Sequence, residues 1–155
     1  CSMSGPSCLR LDLVLSVRSG SDCVIVGVED GEGSALMMPR VGSLDGLGTF
    51  EVAGGTFDFS IPIQTAAVQV WADLPLASVT ITGTREATAV TDVVIGGWVV
   101  EADFETFIMQ LLPTVGGIMF EDIAPLLANL YDVQIVGTCS ALSAGFRASG
   151  SPLVP

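Results

Sequence analysis

Residues 9–18 alternate in character: Leu9, Leu11, Leu13, Leu15 and Val17 fall on one side, Arg10, Asp12, Val14, Ser16 and Arg18 on the other. Successive strand side chains point to opposite faces, so this period of two predicts a strand with one oily face. The turn-forming Ser19-Gly20-Ser21-Asp22 leads into a second apolar-rich run at residues 23–28. A tight hairpin sets Val24, Val26 and Val28 opposite Val17, Leu15 and Leu13 on the inner face, with Cys23 outward beside Arg18.

The same punctuation continues. Asp30-Gly31-Glu32-Gly33 reads as a turn, and short strands are expected at residues 35–38 and 49–53. Gly54-Gly55 connects to a strand in which Phe57, Phe59, Ile61 and Ile63 alternate with Asp58, Ser60 and Pro62; the proline marks an edge or a bulge. Residues 68–71 and 79–82 add two strands split by Pro75. Residues 91–100 form a longer one, where Gly96-Gly97 marks a bulge or bend.

The period then changes. Phe104, Phe107, Ile108, Leu111 and Leu112 form one stripe of a helix, with Asp103 placed to cap it and Pro113 to stop it. A second helix is expected over residues 123–131, capped by Asp122, with Ile123, Leu126, Leu127 and Leu130 as its apolar side. A strand at residues 133–136 leads through Gly137 into a last one at residues 139–146. The expected fold is mainly β: an antiparallel β-sandwich or barrel with a short helical hairpin, at about residues 103–131, inserted before the last strand. One β-rich domain spans residues 9–148, between an N-terminal anchor or linker (1–8) and a tail (149–155).

Composition narrows the function. Of 155 residues half are hydrophobic and 14% charged, where globular domains average about 25% charged, so some apolar residues must meet a partner, a cavity or the surface. No window reaches the roughly 18 apolar residues of a membrane-spanning helix. The net charge of −12, with five scattered arginines, no lysine and no histidine, excludes the clustered cations that nucleic acid or an anionic membrane surface requires. Without histidine there is no Ser-His-Asp or Cys-His apparatus, and without lysine no Schiff base or P-loop lysine.

Carboxylates remain. Those at Glu101, Asp103, Glu105, Glu121 and Asp122 suit helix N-termini. Asp58 or Asp73 could meet a second acid in a hydrolase, but the spacing is generic. The turn bearing Glu29, Asp30 and Glu32 is a weak calcium candidate that lacks an EF-hand pattern; a solvated acidic turn accounts for it better. No cofactor is expected, and the protein reads as a non-enzyme.

The four cysteines, Cys1, Cys8, Cys23 and Cys139, contain no C-x-x-C pair. They are either free thiols or disulfide partners in an oxidising compartment, and if Cys23 is bridged the better partner is Cys139 on a late strand. Cys1-Ser2-Met3-Ser4-Gly5 has the look of a mature bacterial lipoprotein start, with Cys1 as lipid anchor; the other reading is an arbitrary chain start. Trp71, Trp98, Phe104 and Phe107, with Met119 and Phe120, are either core or the lining of an apolar pocket between sheet and hairpin.

Three segments carry a resemblance: Leu76-Ala77-Ser78-Val79-Thr80-Ile81-Thr82-Gly83-Thr84, residues 92–104 around Gly96-Gly97-Trp98, and Cys139-Ser140-Ala141-Leu142-Ser143-Ala144-Gly145-Phe146. Together they resemble a family of secreted or lipoprotein β-domains found in myxobacteria and related bacteria, over roughly residues 47–148. The family's Asp/Gly-rich loop before the closing cysteine is reduced here to Asp132. The resemblance implies an exported, surface-anchored domain and carries no catalytic residue. The expected role is a cell-surface or filament building block acting through self-assembly or another surface protein; a lipid-anchored carrier of an apolar molecule is the alternative. Val14, Ile25, Leu36, Met37, Met38, Ile118, Met119 and Phe120 are the apolar residues that neither face pattern explains, and so the candidate partner surface.

Overall fold

A computed structural model describes residues 13–19, 22–30, 33–58, 60–64, 69–87 and 89–148. The elements are β1 (Leu13–Ser19), β2 (Cys23–Asp30), β3 (Ala35–Leu44), β4 (Thr49–Ala53), β5 (Thr56–Phe57), β6 (Ser60–Gln64), β7 (Gln69–Asp73), β8 (Leu76–Arg85), β9 (Val90–Val100), α1 (Glu101–Val115), α2 (Phe120–Leu127), β10 (Val133–Ile135) and β11 (Thr138–Ala148). The fold is mainly antiparallel β, with both helices ahead of the last strands.

One sheet runs in the order β1-β2-β3-β4-β8-β9-β11-β10, with β5 beside β4 on the same flank of β8, while β6 and β7 form a separate pair. Its end strands, β1 and β10, are not joined, so the sheet is open and not a closed barrel. It is nevertheless strongly curled. Phe57 on β5 and Phe146 on β11 stand three strands apart, roughly 14 Å in a flat sheet, yet their ring centroids are 6.3 Å apart. The concave face therefore closes on itself, and Val24, Val26, Val28, Phe50, Val52, Phe57, Leu76, Ile81 and Ile95 pack into one core.

Two bulges of opposite sense set the curl. Between Ala77↔Trp98 and Thr80↔Gly96 the extra residue lies on β8, where Ser78 has φ 46; between Thr82↔Val94 and Thr84↔Thr91 it lies on β9, where Asp92 has φ 52. Each bulge adds local twist, and the pair restores the register. The irregularity expected near Gly96-Gly97 is thus present, with the extra residue on the partner strand.

On β2 the buried Val24, Val26 and Val28 match the alternation, but the register of the first hairpin differs from the expected one. Val17 pairs with Val26 and Ser19 with Val24, a shift of two residues, and an even shift keeps the inner-face positions of the two strands opposite one another. Arg18 consequently stands across from Ile25, and Cys23 from Ser43 of β3. The strand expected from Phe57 to Ile63 is divided: β5 stays on the main sheet and β6 leaves to pair with β7. Residues 9–12 lie outside the described residues.

The helices begin earlier than their carboxylates suggested. β9 runs directly into α1, with Val100 as N-cap and no capping side chain, so Asp103 sits within the first turn. Pro113 lies inside α1, which ends at Gly116. In α2 the N-cap is Met119, and Asp122 at the third helical position accepts a hydrogen bond from the Met119 N–H at 3.2 Å. That reach-back is the carboxylate half of a capping box. α1 packs on β7, where the Asp73 N–H donates to Gln110 Oε1 at 3.0 Å.

Candidate interaction surface

β1 is the feature with most capacity to bind a chain. It lies at one end of the sheet, and among the described residues no strand covers its outer side. Its seven residues contain no proline, glycine or bulge, and Arg18 is their one charge. Val17 packs partly against the core, and Val14 is half-buried. The opposite edge, β10, offers only three residues and a register irregularity before its turn.

Next to β1, strands β2 and β3 carry exposed apolar residues. Ile25 on β2 and Val41 on β3 are direct cross-strand neighbours and both are exposed, as is Met38. The run Leu36-Met37-Met38 is split by two register shifts against β2. Met37, expected on a partner surface, stands opposite Val28 in the core instead, and Leu36 packs partly against that core; only Met38 is outward. The shifts cause this, since each extra residue on β3 breaks the alternation that the sequence shows.

A second apolar surface lies on the helical pair. Ile118 and Met119 are exposed as expected, while Phe120 is half-buried as the first residue of α2. Leu126 and Leu130, expected on the buried side, are exposed too, Leu126 at 66%. α2 ends at Leu127, which alone on that helix is buried, so the stripe turns away from the core sooner than a helix to residue 131 would.

The apolar pocket is not assembled as expected. Phe104 and Phe107 come together, ring centroids 6.3 Å apart, and Tyr131 meets Phe104 edge-on at 6.4 Å. Trp71, however, is 58% exposed on β7, and Trp98 pairs with Ser143 on the face opposite Val99 and the core. A shallow depression of about 380 Å³ lies elsewhere, lined by Asp92, Val93, Val94, Arg147 and Ala148. The Tyr131 hydroxyl is buried without a hydrogen-bond partner. Burial, and then the charges of Glu105 and Glu101, push its pKa up.

Several carboxylates hold backbone turns. Asp30 Oδ1 accepts from the Ser34 N–H at 2.8 Å, and Asp45 Oδ1 accepts from Leu47 and Thr49 N–H groups at 2.9 and 2.8 Å. Asp132 accepts from both the hydroxyl and the N–H of Ser143, pinning the start of β10 to β11; those bonds, the hydroxyl first, lower its pKa. Asp73 accepts from the Ser60 hydroxyl across β6 and β7. Glu29 and Asp30 end β2, Glu32 lies outside the described residues, and among the described residues no three His, Cys, Asp or Glu side chains group to hold a metal ion.

The Cys23–Cys139 bridge is not formed. Both thiols are free and exposed, on β2 and β11, which stand five places apart in the sheet order. Cys1 and Cys8 lie outside the described residues. Compared with known protein families, curated proteins and solved structures, the chain has no match.

Proposed function

We propose that the protein is a non-enzymatic, exported β-domain that works by association, as a surface or filament building block, with β1 as the joining element. The observation that carries this reading is the edge left open among the described residues: β1 at the end of the sheet offers its outward N–H and C=O groups to another strand. Ile25 and Val41, one and two strands in from that edge, leave exposed apolar area on the same sheet. Export and surface location rest on the resemblance to secreted β-domains.

Size-exclusion chromatography with light scattering tests the reading. The expected result is a mass that climbs above the 16.0 kDa of one chain as concentration rises. Lysines at the outer-face register positions, Val14→Lys with Ser16→Lys, should return it to the monomer, because charges on an edge oppose pairing. A monomer at every concentration, with no partner captured through β1, overturns the proposal.

A further inference from the structure

An apolar stripe crosses α2 and is left uncovered among the described residues. Met119, Ile123, Leu126 and Leu130 fall at i, i+4, i+7 and i+11, the spacing of one helical face. Met119, Leu126 and Leu130 are exposed and Ile123 is half-buried, whereas Leu127 is the residue that α2 buries. Ile118, also exposed, extends the apolar surface into the connection from α1.

The charge carried by the two helices has one sign. Residues 101–131 contain Glu101, Asp103, Glu105, Glu121 and Asp122 and no arginine or lysine. Asp103, Glu121 and Asp122 are exposed. No basic residue stands in the last turn of either helix, so the negative end of each helix dipole is uncompensated as well. The field extends to the end of the stripe: at Tyr131, next to Leu130, the charges of Glu105 and Glu101 add to burial in raising the phenol pKa.

These two properties select the occupant. Nucleic acid and anionic lipid are repelled by such a face. A second copy brings a net charge of −12 and five scattered arginines, and so offers no cationic surface to match it. What fits is a chain with apolar residues at helical spacing to cover the stripe and with lysine or arginine beside them to meet the carboxylates and helix ends.

We infer that the exposed face of α2 docks a basic amphipathic segment of a partner protein, its apolar residues on Met119, Ile123, Leu126 and Leu130 and its cations toward the carboxylates of α1 and α2. This docking is independent of any pairing at β1.

The test is fluorescence anisotropy of a labelled leucine–lysine peptide of about four helical turns, patterned as an amphipathic helix, against a scrambled peptide of the same composition. The patterned peptide should bind about tenfold tighter or more, since the scrambled one draws on net charge alone. Leu126→Gln with Leu130→Gln should abolish that preference, with circular dichroism confirming a folded variant, while Val41→Gln on β3 leaves it intact. Glu105→Gln with Glu121→Gln should weaken binding and flatten its fall with added salt more than Glu51→Gln with Glu86→Gln, an equal loss of charge elsewhere. Equal binding of the two peptides, or a preference that survives the leucine exchange, overturns the inference. So does a leucine exchange that dissociates wild-type oligomers, which makes the occupant a second copy, or one that abolishes co-sedimentation with phosphatidylcholine vesicles, which makes it a lipid surface.

Discussion

Gly83→Ala isolates the packing on which the curled core depends. A Cβ built at Gly83 of β8 falls 2.7 Å from Phe50 Cζ, 2.9 Å from Cε1 and 3.3 Å from the Thr91 carbonyl oxygen. Carbon atoms in contact prefer about 3.5–4.0 Å, so the added methyl overlaps the ring by most of an ångström. Phe50 is 1% exposed and sealed in the core, which leaves the ring little room to retreat. Overpacking of this kind costs about 1–3 kcal/mol. Gly46 is the control: nothing lies within 4 Å of its Cβ, and Gly46→Ala should be neutral or stabilise by about 0.4–1 kcal/mol through the unfolded chain. Phe50→Leu removes the clashing ring atoms at a cavity cost of about 1–3 kcal/mol. Urea unfolding of the two single variants and the double should then show a double variant at least 0.5 kcal/mol more stable than the sum of the singles, beyond the ~0.3–0.5 kcal/mol scatter of independent sites. Strict additivity, or a harmless Gly83→Ala, would refute the placement of the Phe50 ring against β8.

Other perturbations probe other parts of the fold. The β10–β11 turn places both Val136 (φ 49) and Gly137 (φ 90) in the left-handed region, so Val136→Asn should stabilise by about 1 kcal/mol, read as a higher thermal midpoint; a loss would show the turn to be of another type. Tyr131→Phe removes a buried hydroxyl without a partner and should be neutral or stabilising in urea, whereas a clear loss would reveal a partner for that oxygen. For Asp132 the folded carboxyl titrates below its unfolded counterpart, so its contribution is present above the ordinary aspartate range and lost as pH falls through the lowered value. The urea-midpoint gap between wild type and Asp132→Asn should therefore be largest at neutral pH and close in strong acid; a gap that does not change with pH would contradict the Ser143 bonds as its source.

The alternation of β1 and β2, the glycine punctuation and the helical stripe at Phe104, Phe107, Ile108 and Leu111 are local patterns, and they locate the strands, their inner faces and the helical pair. Register is not local. The first hairpin moved by two residues without changing any face, and no pattern on one strand distinguishes those alternatives. The bulges at Ser78 and Asp92, like the shifts that send Met37 inward and Met38 outward, arise from fitting one strand to its neighbour. The carboxylates at Asp103 and Asp122 marked helix starts but not the exact caps, because acids are favourable throughout the first turn. For the candidate surface, Ile25, Met38, Ile118 and Met119 were legible as apolar residues out of pattern. Leu126 and Leu130 were not, since they continue a stripe whose buried side ends early, and Val41 lies beyond the strand expected at residues 35–38.

The most direct test of association through β1 is amide hydrogen exchange measured at low and high protein concentration. Exchange reads individual backbone hydrogens, so it reports which edge is used as well as whether mass increases. The expected result is that slowing at high concentration concentrates in β1, Leu13–Ser19, while β10 and α2 exchange at the same rate throughout. Slowing confined to α2, or β1 rates independent of concentration while the mass doubles, would contradict it and move the joining surface to the helical face.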